Sequence, residues 1–251
     1  MYTDVHCHLL PEVDDGAKSW AESEECLRIA QAERVSRLAV TPHVWPDRYP
    51  NRPDDLREVF RDFQRRAAPL GLECHLGCEA YFHLDLPEWY QAGRLLAMGE
   101  AGRYLLVELP LTLCPPGLLQ TFYALRLAGA EPVLAHPERY PYVSRDPRRL
   151  EDLGSSGVPF QVTTHSLMGL FGGAVQRAAF ALMERGWVRL LASDAHSSRG
   201  RVPMFRAAVR VVAARYGKEA ARRLCVENPR RLLEGAPLLP VECLRPGRRR
   251  A

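Results

Sequence analysis

Lysine is almost missing from this chain: of its 34 basic residues only Lys18 and Lys218 are lysines, and the rest are arginines. Net charge is also scarce. The formal value is +4, and Arg245 and Arg248 to Arg250 crowd the last seven positions, which leaves the body close to neutral. An extended basic face that would follow a phosphate backbone is thereby excluded, so no nucleic-acid partner is expected. No C-x-x-C pair occurs, and the seven cysteines fall singly through a chain too large to need stapling; a disulfide framework is excluded on that ground. Apolar runs stay short of the ~18 residues needed for a membrane-crossing helix, and the first residues lead directly into a charged strand-like segment. The expectation is a cytoplasmic protein without membrane insertion.

What is present is enough for one full core: 251 residues, 47% hydrophobic and 25% charged. Short apolar runs at 2–7, 37–42, 72–78, 103–108, 131–135, 158–163 and 188–193 read as strands. Between them, 20–34, 54–68, 84–97, 116–128, 147–153 and 171–185 carry apolar residues at three- and four-residue spacing, as helices do. Seven Val- and Leu-rich strands separated by helices predict a parallel sheet covered on both faces. A (β/α)7 barrel, closed or nearly so, is the first expectation; an open doubly wound sheet is the second. Further helices are predicted at 203–216 and 218–224, followed by Asn228-Pro229. No linker divides the chain, which predicts one domain over 1–235 and a loose Pro- and Arg-rich tail over 236–251.

The polar residues of this pattern are not scattered. His6 and His8 stand at the end of the first strand, His43 after the second, Glu79 after the third, Glu108 after the fourth, His136 after the fifth, and Asp194 and His196 after the seventh. In a parallel barrel these positions share the C-terminal rim, where such barrels keep their chemistry. Singly, each has a plainer reading: a carboxylate may close a strand by pairing with an arginine, and an imidazole may simply face solvent. His75 and His83 are read in that way. Alternation along a strand aims His6 and His8 together and turns Val5 and Cys7 to the opposite face, making Cys7 a core residue. Asp14-Asp15-Gly16 has the character of a turn; with Asp15 added from it, the rim holds nine imidazoles and carboxylates.

Nine ligands exceed what one ion takes, so two or three divalent ions sharing carboxylates fit better. Such clusters lower the pKa of a bound water and hold both oxygens of a displacement, which points to hydrolysis of a phosphate ester. Arg139, in His136-Pro137-Glu138-Arg139, and Arg201, just after His196, offer planar donors suited to phosphoryl oxygens. Histidine and carboxylate ligands suit manganese, iron and zinc alike.

Together, His-x-His, Asp-Asp-Gly, Thr41-Pro42-His43, Gly77-Cys78-Glu79, His-Pro-Glu-Arg and Ser193-Asp194-Ala195-His196 resemble the polymerase and histidinol phosphatase superfamily, in order from residue 2 to about 234. More narrowly, they resemble its bacterial tyrosine-phosphatase branch, associated with capsule and exopolysaccharide synthesis. The resemblance implies a distorted (β/α)7 barrel, a three-metal site that commonly holds manganese, and a metal-bound hydroxide attacking phosphotyrosine with no phosphoenzyme. It implies His6, His8, Glu79 and Asp194 on one ion, Glu79 bridging to a second with Glu108 and His136, and a third on Asp15, His43 and His196. Arg139 and Arg201 match the arginines that grip phosphate, and the implied partner is a phosphorylated bacterial tyrosine kinase of polysaccharide synthesis. Asp14 is the neighbour not chosen, and His165 has no ligand counterpart.

Cysteine-dependent phosphatases use Cys-x5-Arg, which occurs here at Cys225–Arg231 and Cys243–Arg249. Neither stretch has the glycine-rich loop that would cradle phosphate, so neither is expected to act. Histidinol-phosphate phosphatase is the nearest alternative, a nuclease the next, and a non-catalytic metal-binding regulator of a tyrosine kinase the alternative from another class.

Overall fold

The computed structural model describes residues 1–98 and 102–241. Its strands are β1 (Tyr2–Cys7), β2 (Val35–Val40), β3 (His43–Val44), β4 (Glu73–Leu76), β5 (Glu79–Tyr81), β6 (Tyr104–Glu108), β7 (Glu131–Ala135), β8 (Phe160–Thr163) and β9 (Val188–Ala192). The helices are α1 (Trp20–Ala32), α2 (Pro53–Ala67), α3 (Leu86–Gln91), α4 (Leu118–Leu127), α5 (Pro141–Arg145), α6 (Glu151–Ser155), α7 (Thr164–Leu167), α8 (Gly173–Glu184), α9 (Arg206–Tyr216), α10 (Lys218–Arg222) and α11 (Asn228–Leu233). Local signals account for several of them. Ser19 caps α1 by accepting the Glu22 amide. Helix α2 opens on Pro53 with Asp54 and Asp55 in its first turn and closes on Arg65 and Arg66, charges that suit its dipole.

All strand pairs are parallel. One sheet runs β1-β2-β4 and the other β3-β5-β6-β7-β8-β9. The runs expected at 37–42 and 72–78 stop short, at Val40 and Leu76, and after Thr41-Pro42 and Gly77-Cys78 each course resumes beyond its expected end, as β3 and β5. Pro42 has no amide to donate to a ladder, and a Cβ on Gly77 would stand 2.6 Å from the Met98 side chain. Across the breaks the backbone stays joined, with the Gly77 amide on the Val40 carbonyl (2.9 Å) and the Glu79 amide on the Pro42 carbonyl (3.0 Å). The seam between β1 and β9 is likewise bridged, by the Asp194 amide on His6 and the His8 amide on Ala195, both at 2.8 Å. Seven strand courses thus follow one another in a distorted TIM-like circuit, the α/β architecture the periodicity predicts.

Alternate residues of the strands serve two cores. Tyr104, Leu106, Val133, Ala135, Leu190 and Ala192 pack in a smaller inner cluster with Leu232 and Leu233 of α11. Leu105, Val107, Leu134 and Leu191 face the helices in the larger one. Val5 and Cys7 do not share a face as strict alternation predicts. Val5 joins the inner cluster and Cys7 the outer, because the β1–β2 register slips between Asp4 and Cys7, and such a bulge re-aims side chains.

Other expectations need correction. The helix predicted over 84–97 is only Leu86–Gln91; the chain then turns at Gly93, with φ of 67°, to bury Leu95 and Leu96. The stretch 147–153 is a 3-10 turn, Pro147–Leu150, followed by α6. Residues 236–241, expected as the start of a loose tail, are held to the body. Tyr104 Oη donates to the Ala236 carbonyl (2.7 Å), Asn228 bonds Leu239 in both directions, and Val241 is buried. The remaining tail, 242–251, lies outside the described residues, and with it Cys243 and Arg249.

Candidate metal centre

All nine rim residues meet at one end of the barrel. His6, His8 and Glu79 are fully buried, His136 and Asp194 nearly so, and Asp15 reaches in from an exposed loop position. Four groupings place ligand atoms within 4.8 Å of one another: His8, Asp15, His43 and His196; His6, His8 and Asp194; His6, Glu79 and His136; and His43, Glu79 and Glu108. Glu79 is the hub. Its Oε2 lies 3.3 Å from His6 Nε2, 3.2 Å from His8 Nε2 and 3.2 Å from His43 Nδ1, and its Oε1 lies 3.0 Å from His136 Nε2. His43 and His196 each hold Nε2 3.4 Å from Asp15 Oδ1.

The outer nitrogens of the imidazoles set their tautomers. His8 Nδ1 donates to Asp14 Oδ2 at 2.7 Å, and His6 Nδ1 to Gln161 Oε1 at 2.9 Å. His196 Nδ1 donates to the Asp194 carbonyl at 3.0 Å. Each Nε2 then turns a lone pair inward, and those of His6 and His8 face each other at 3.1 Å. Glu79 Oε2 and Asp194 Oδ1 add lone pairs beside them and make no hydrogen bond. Buried acceptors converging on one another are costly unless a cation is shared among them, so this donor set fits metal ions.

Supporting groups hold the ligands in place. Asp14 also accepts the amides of His43 (3.0 Å) and Gly16 (2.9 Å), tying the 8–17 loop to β3. Asp4 accepts the Ser193 amide at 3.0 Å, fixing the Ser193-Asp194 turn against β1. His136 and Asp194 adopt φ of 29° and 52°, conformations costing about 1–3 kcal/mol that cluster at functional sites. Glu138 accepts the Thr163 amide (2.9 Å) and the Ser166 hydroxyl (2.7 Å), so the His-Pro-Glu-Arg turn is braced on β8. Arg139 and Arg201 both bond Asp194 Oδ2, and the Arg139 guanidinium lies 4.9 Å from the Phe171 ring centre.

The field is uneven. Burial opposes ionisation of Glu79 and Asp194, yet His6 and His43 beside the first, and Arg201, His6 and Arg139 beside the second, hold both well below the usual carboxylate range. Burial, and then the Glu79 charge, push the Glu108 carboxyl up to about 7. Burial pulls His6, His8 and His43 down, but the carboxylates around them outweigh it and raise all three. His136 is lowered to about 4 by burial and Arg139, and His196 to about 4 by burial and His8.

Sequence reading passed over Asp14, Gln161, Asp4 and Glu138. The one available signal was polarity inside apolar runs, as with Gln161 in the 158–163 strand. His75 pairs with Glu73 at 3.0 Å on β4, and His83 stacks on Trp89 at 4.6 Å, both away from the cluster. His165 is buried against Phe171, with ring centres 5.9 Å apart, and belongs to none of the four groupings. Cys225 is fully buried, with burial pushing its thiol far up, and Arg231 donates to the Pro237 carbonyl at 2.7 Å. That pair cradles nothing.

Residues 2–234 match the family described as capsular polysaccharide synthesis, CpsB/CapC. Over 232 residues the chain is 32% identical to the tyrosine-protein phosphatase YwqE of Bacillus subtilis, spanning 92% of this chain and 91% of that one. It is also 32% identical over 200 residues to the putative tyrosine-protein phosphatase CapC of Staphylococcus aureus, spanning 79% and 78%. A solved structure, from work on YwqE of B. subtilis and CpsB of Streptococcus pneumoniae as unique metal-dependent tyrosine phosphatases, superposes with a TM-score of 0.90 at 31% identity, covering 98% of this chain and all of that one. With a match this long and a fold this similar, the chain belongs to the CpsB/CapC family of capsular polysaccharide synthesis.

Proposed function

We propose that the chain is a metal-dependent tyrosine-protein phosphatase, with His6, His8, Asp15, His43, Glu79, Glu108, His136, Asp194 and His196 holding two or three divalent ions. Manganese is the first candidate and iron or zinc the alternatives, since the donor set accepts all three. The observation that carries the reading is the facing pair of Nε2 lone pairs on His6 and His8, 3.1 Å apart beside two carboxylates. When bound, such ions supply Lewis acidity and lower the pKa of a coordinated water to near neutrality.

The chain's own residues do the rest. Asp14, Gln161 and the Asp194 carbonyl hold the Nδ1 protons of His8, His6 and His196, so Nε2 is the nitrogen each ring presents for an ion. Arg139 and Arg201 flank Asp194 on the wall of a cavity of about 280 Å³. There their planar forks suit the non-bridging oxygens of a phosphoryl group and the charge that develops on them. A phenolate, with a pKa near 10, leaves with modest assistance, so aryl phosphates suit the site. Among the described residues no cysteine lines that cavity, and Cys225, the described cysteine of a Cys-x5-Arg pair, is buried elsewhere.

The natural partner proposed is a phosphotyrosine protein, a bacterial tyrosine kinase of polysaccharide synthesis, in keeping with the family. Purified protein loaded with manganese should hydrolyse phosphotyrosine peptide in preference to histidinol phosphate, and chelator should abolish the activity. Faster turnover of histidinol phosphate at equal metal loading would overturn the assignment.

A further inference from the structure

Strands β3 and β5 do more than present His43 and Glu79. Their parallel register places His43 opposite Glu79 and Val44 opposite Ala80. Side chains two residues apart on a strand share a face, so the next outward pair on the cluster side is Trp45 and Tyr81. The two rings are stacked with centres 3.9 Å apart and planes within 4°. Both are only partly buried, and both line the same cavity as the metal-ligand cluster, Arg139 and Arg201. Two residues of strand advance roughly 6.5–7 Å, about the span from the phosphorus of a tyrosine phosphate across its ring to the β-carbon.

The hairpin beyond β3 continues the wall. Trp45 and Tyr49 bond through both amides (2.9 and 2.7 Å), which fixes the turn. Tyr49 lies nearly parallel to the His43 ring at 5.4 Å, and the Arg48 guanidinium stands 5.5 and 5.1 Å from the Trp45 and Tyr49 ring centres. A purely structural role would bury the Trp45–Tyr81 pair in a core. Instead both rings border the cavity that Arg139 and Arg201 also line.

We infer that Trp45 and Tyr81 form the wall that receives the aromatic ring of the substrate and sets the preference for aryl over alkyl phosphates, a specificity role resting on the phosphatase reading above. With the phosphoryl group between Arg139 and Arg201, the ester substituent leaves the cluster along this wall. A flat ring gains aromatic contact there that an alkyl chain does not.

Binding separates this role from turnover. The affinities of phenylphosphonate and methylphosphonate, neither hydrolysable, are measured by calorimetry on manganese-loaded protein. The wild type should favour phenylphosphonate by about tenfold, the size of one good aromatic contact. Trp45→Leu and Tyr81→Leu should each reduce that ratio several-fold, while Trp45→Phe should keep most of it. The two leucine variants lie on different strands, so misfolding of one leaves the other to decide. A ratio unchanged in a folded leucine variant would overturn the inference. Hydrolysis of p-nitrophenyl phosphate by the same wild-type sample tests the underlying reading separately: turnover with an unmoved ratio removes the wall alone, whereas no turnover removes the phosphatase assignment and the wall with it.

Discussion

Gly16 is where one methyl group should cost the most. A Cβ built there would lie 2.0 Å from the His8 carbonyl oxygen, 2.6 Å from His8 Cβ and 2.8 Å from His8 C. Carbon contacts are comfortable at about 3.5–4 Å, so the two backbone segments must part by more than about 1 Å. They are clamped by the Ala17 amide on the His8 carbonyl (3.0 Å) and the Gly16 amide on Asp14 Oδ1 (2.9 Å). Relief therefore moves either His8 or the Asp14-Asp15 turn out of the cluster. Overpacking of this kind costs about 1–3 kcal/mol, or several degrees in Tm for a chain of this size. Misplacement by about 1 Å at a site can cost about a hundredfold in rate. Gly16→Ala should therefore lower kcat/KM on p-nitrophenyl phosphate by about two orders of magnitude, with bound metal reduced by elemental analysis. Gly154→Ala is the control: its Cβ would meet the Trp187 ring at 2.3 Å, away from the cluster. It should lower Tm while leaving activity per metal-loaded protein near wild type. Full activity and metal content in Gly16→Ala would refute the geometry argued for the 8–17 loop.

Asp14→Asn keeps the shape but removes the charge that orients His8, and should weaken metal binding about 10–100-fold in a metal titration. Chelator should abolish hydrolysis and Cys225→Ser should leave it, because the Cys225 thiol is buried and raised; the reverse pattern would point to cysteine chemistry. Metal binding should release protons near pH 7. Burial lowers His6, His8 and His43, but their carboxylate neighbours outweigh it and raise all three, and whatever second proton each ring carries must leave for an ion to bind. Affinity should therefore rise with pH through neutrality, and the heat of binding should vary with the ionisation enthalpy of the buffer.

Much of the site was legible because parallel βα units bring strand ends to one rim whatever the loops do. That rule turns His6, Glu108 and Asp194, far apart in the chain, into neighbours before any coordinate is known. It does not see the partners of the ligands. Asp14 and Asp15 are chemically identical in a turn, and only the folded loop sends Asp15 toward His43 and His196 while Asp14 reaches the far nitrogen of His8. Nor does it see interruptions. Thr41-Pro42 and Gly77-Cys78 look like continuations of apolar runs, and the helix predicted over 84–97 ends at Gln91, after which the turn at Gly93 brings Leu95 and Leu96 into the core.

Sequence alone determined the alternation of strands and helices, the seven-course α/β circuit, the residue types available at its rim and the absence of a usable cysteine loop, since these rest on periodicity and composition. Register decided the rest. Whether His43 faces Glu79, and so whether Trp45 lies flat on Tyr81 in the cavity wall, depends on how two strands 36 residues apart slide past each other. A one-residue slip would turn every such side chain to the other face, and the packing of the whole barrel is what forbids it.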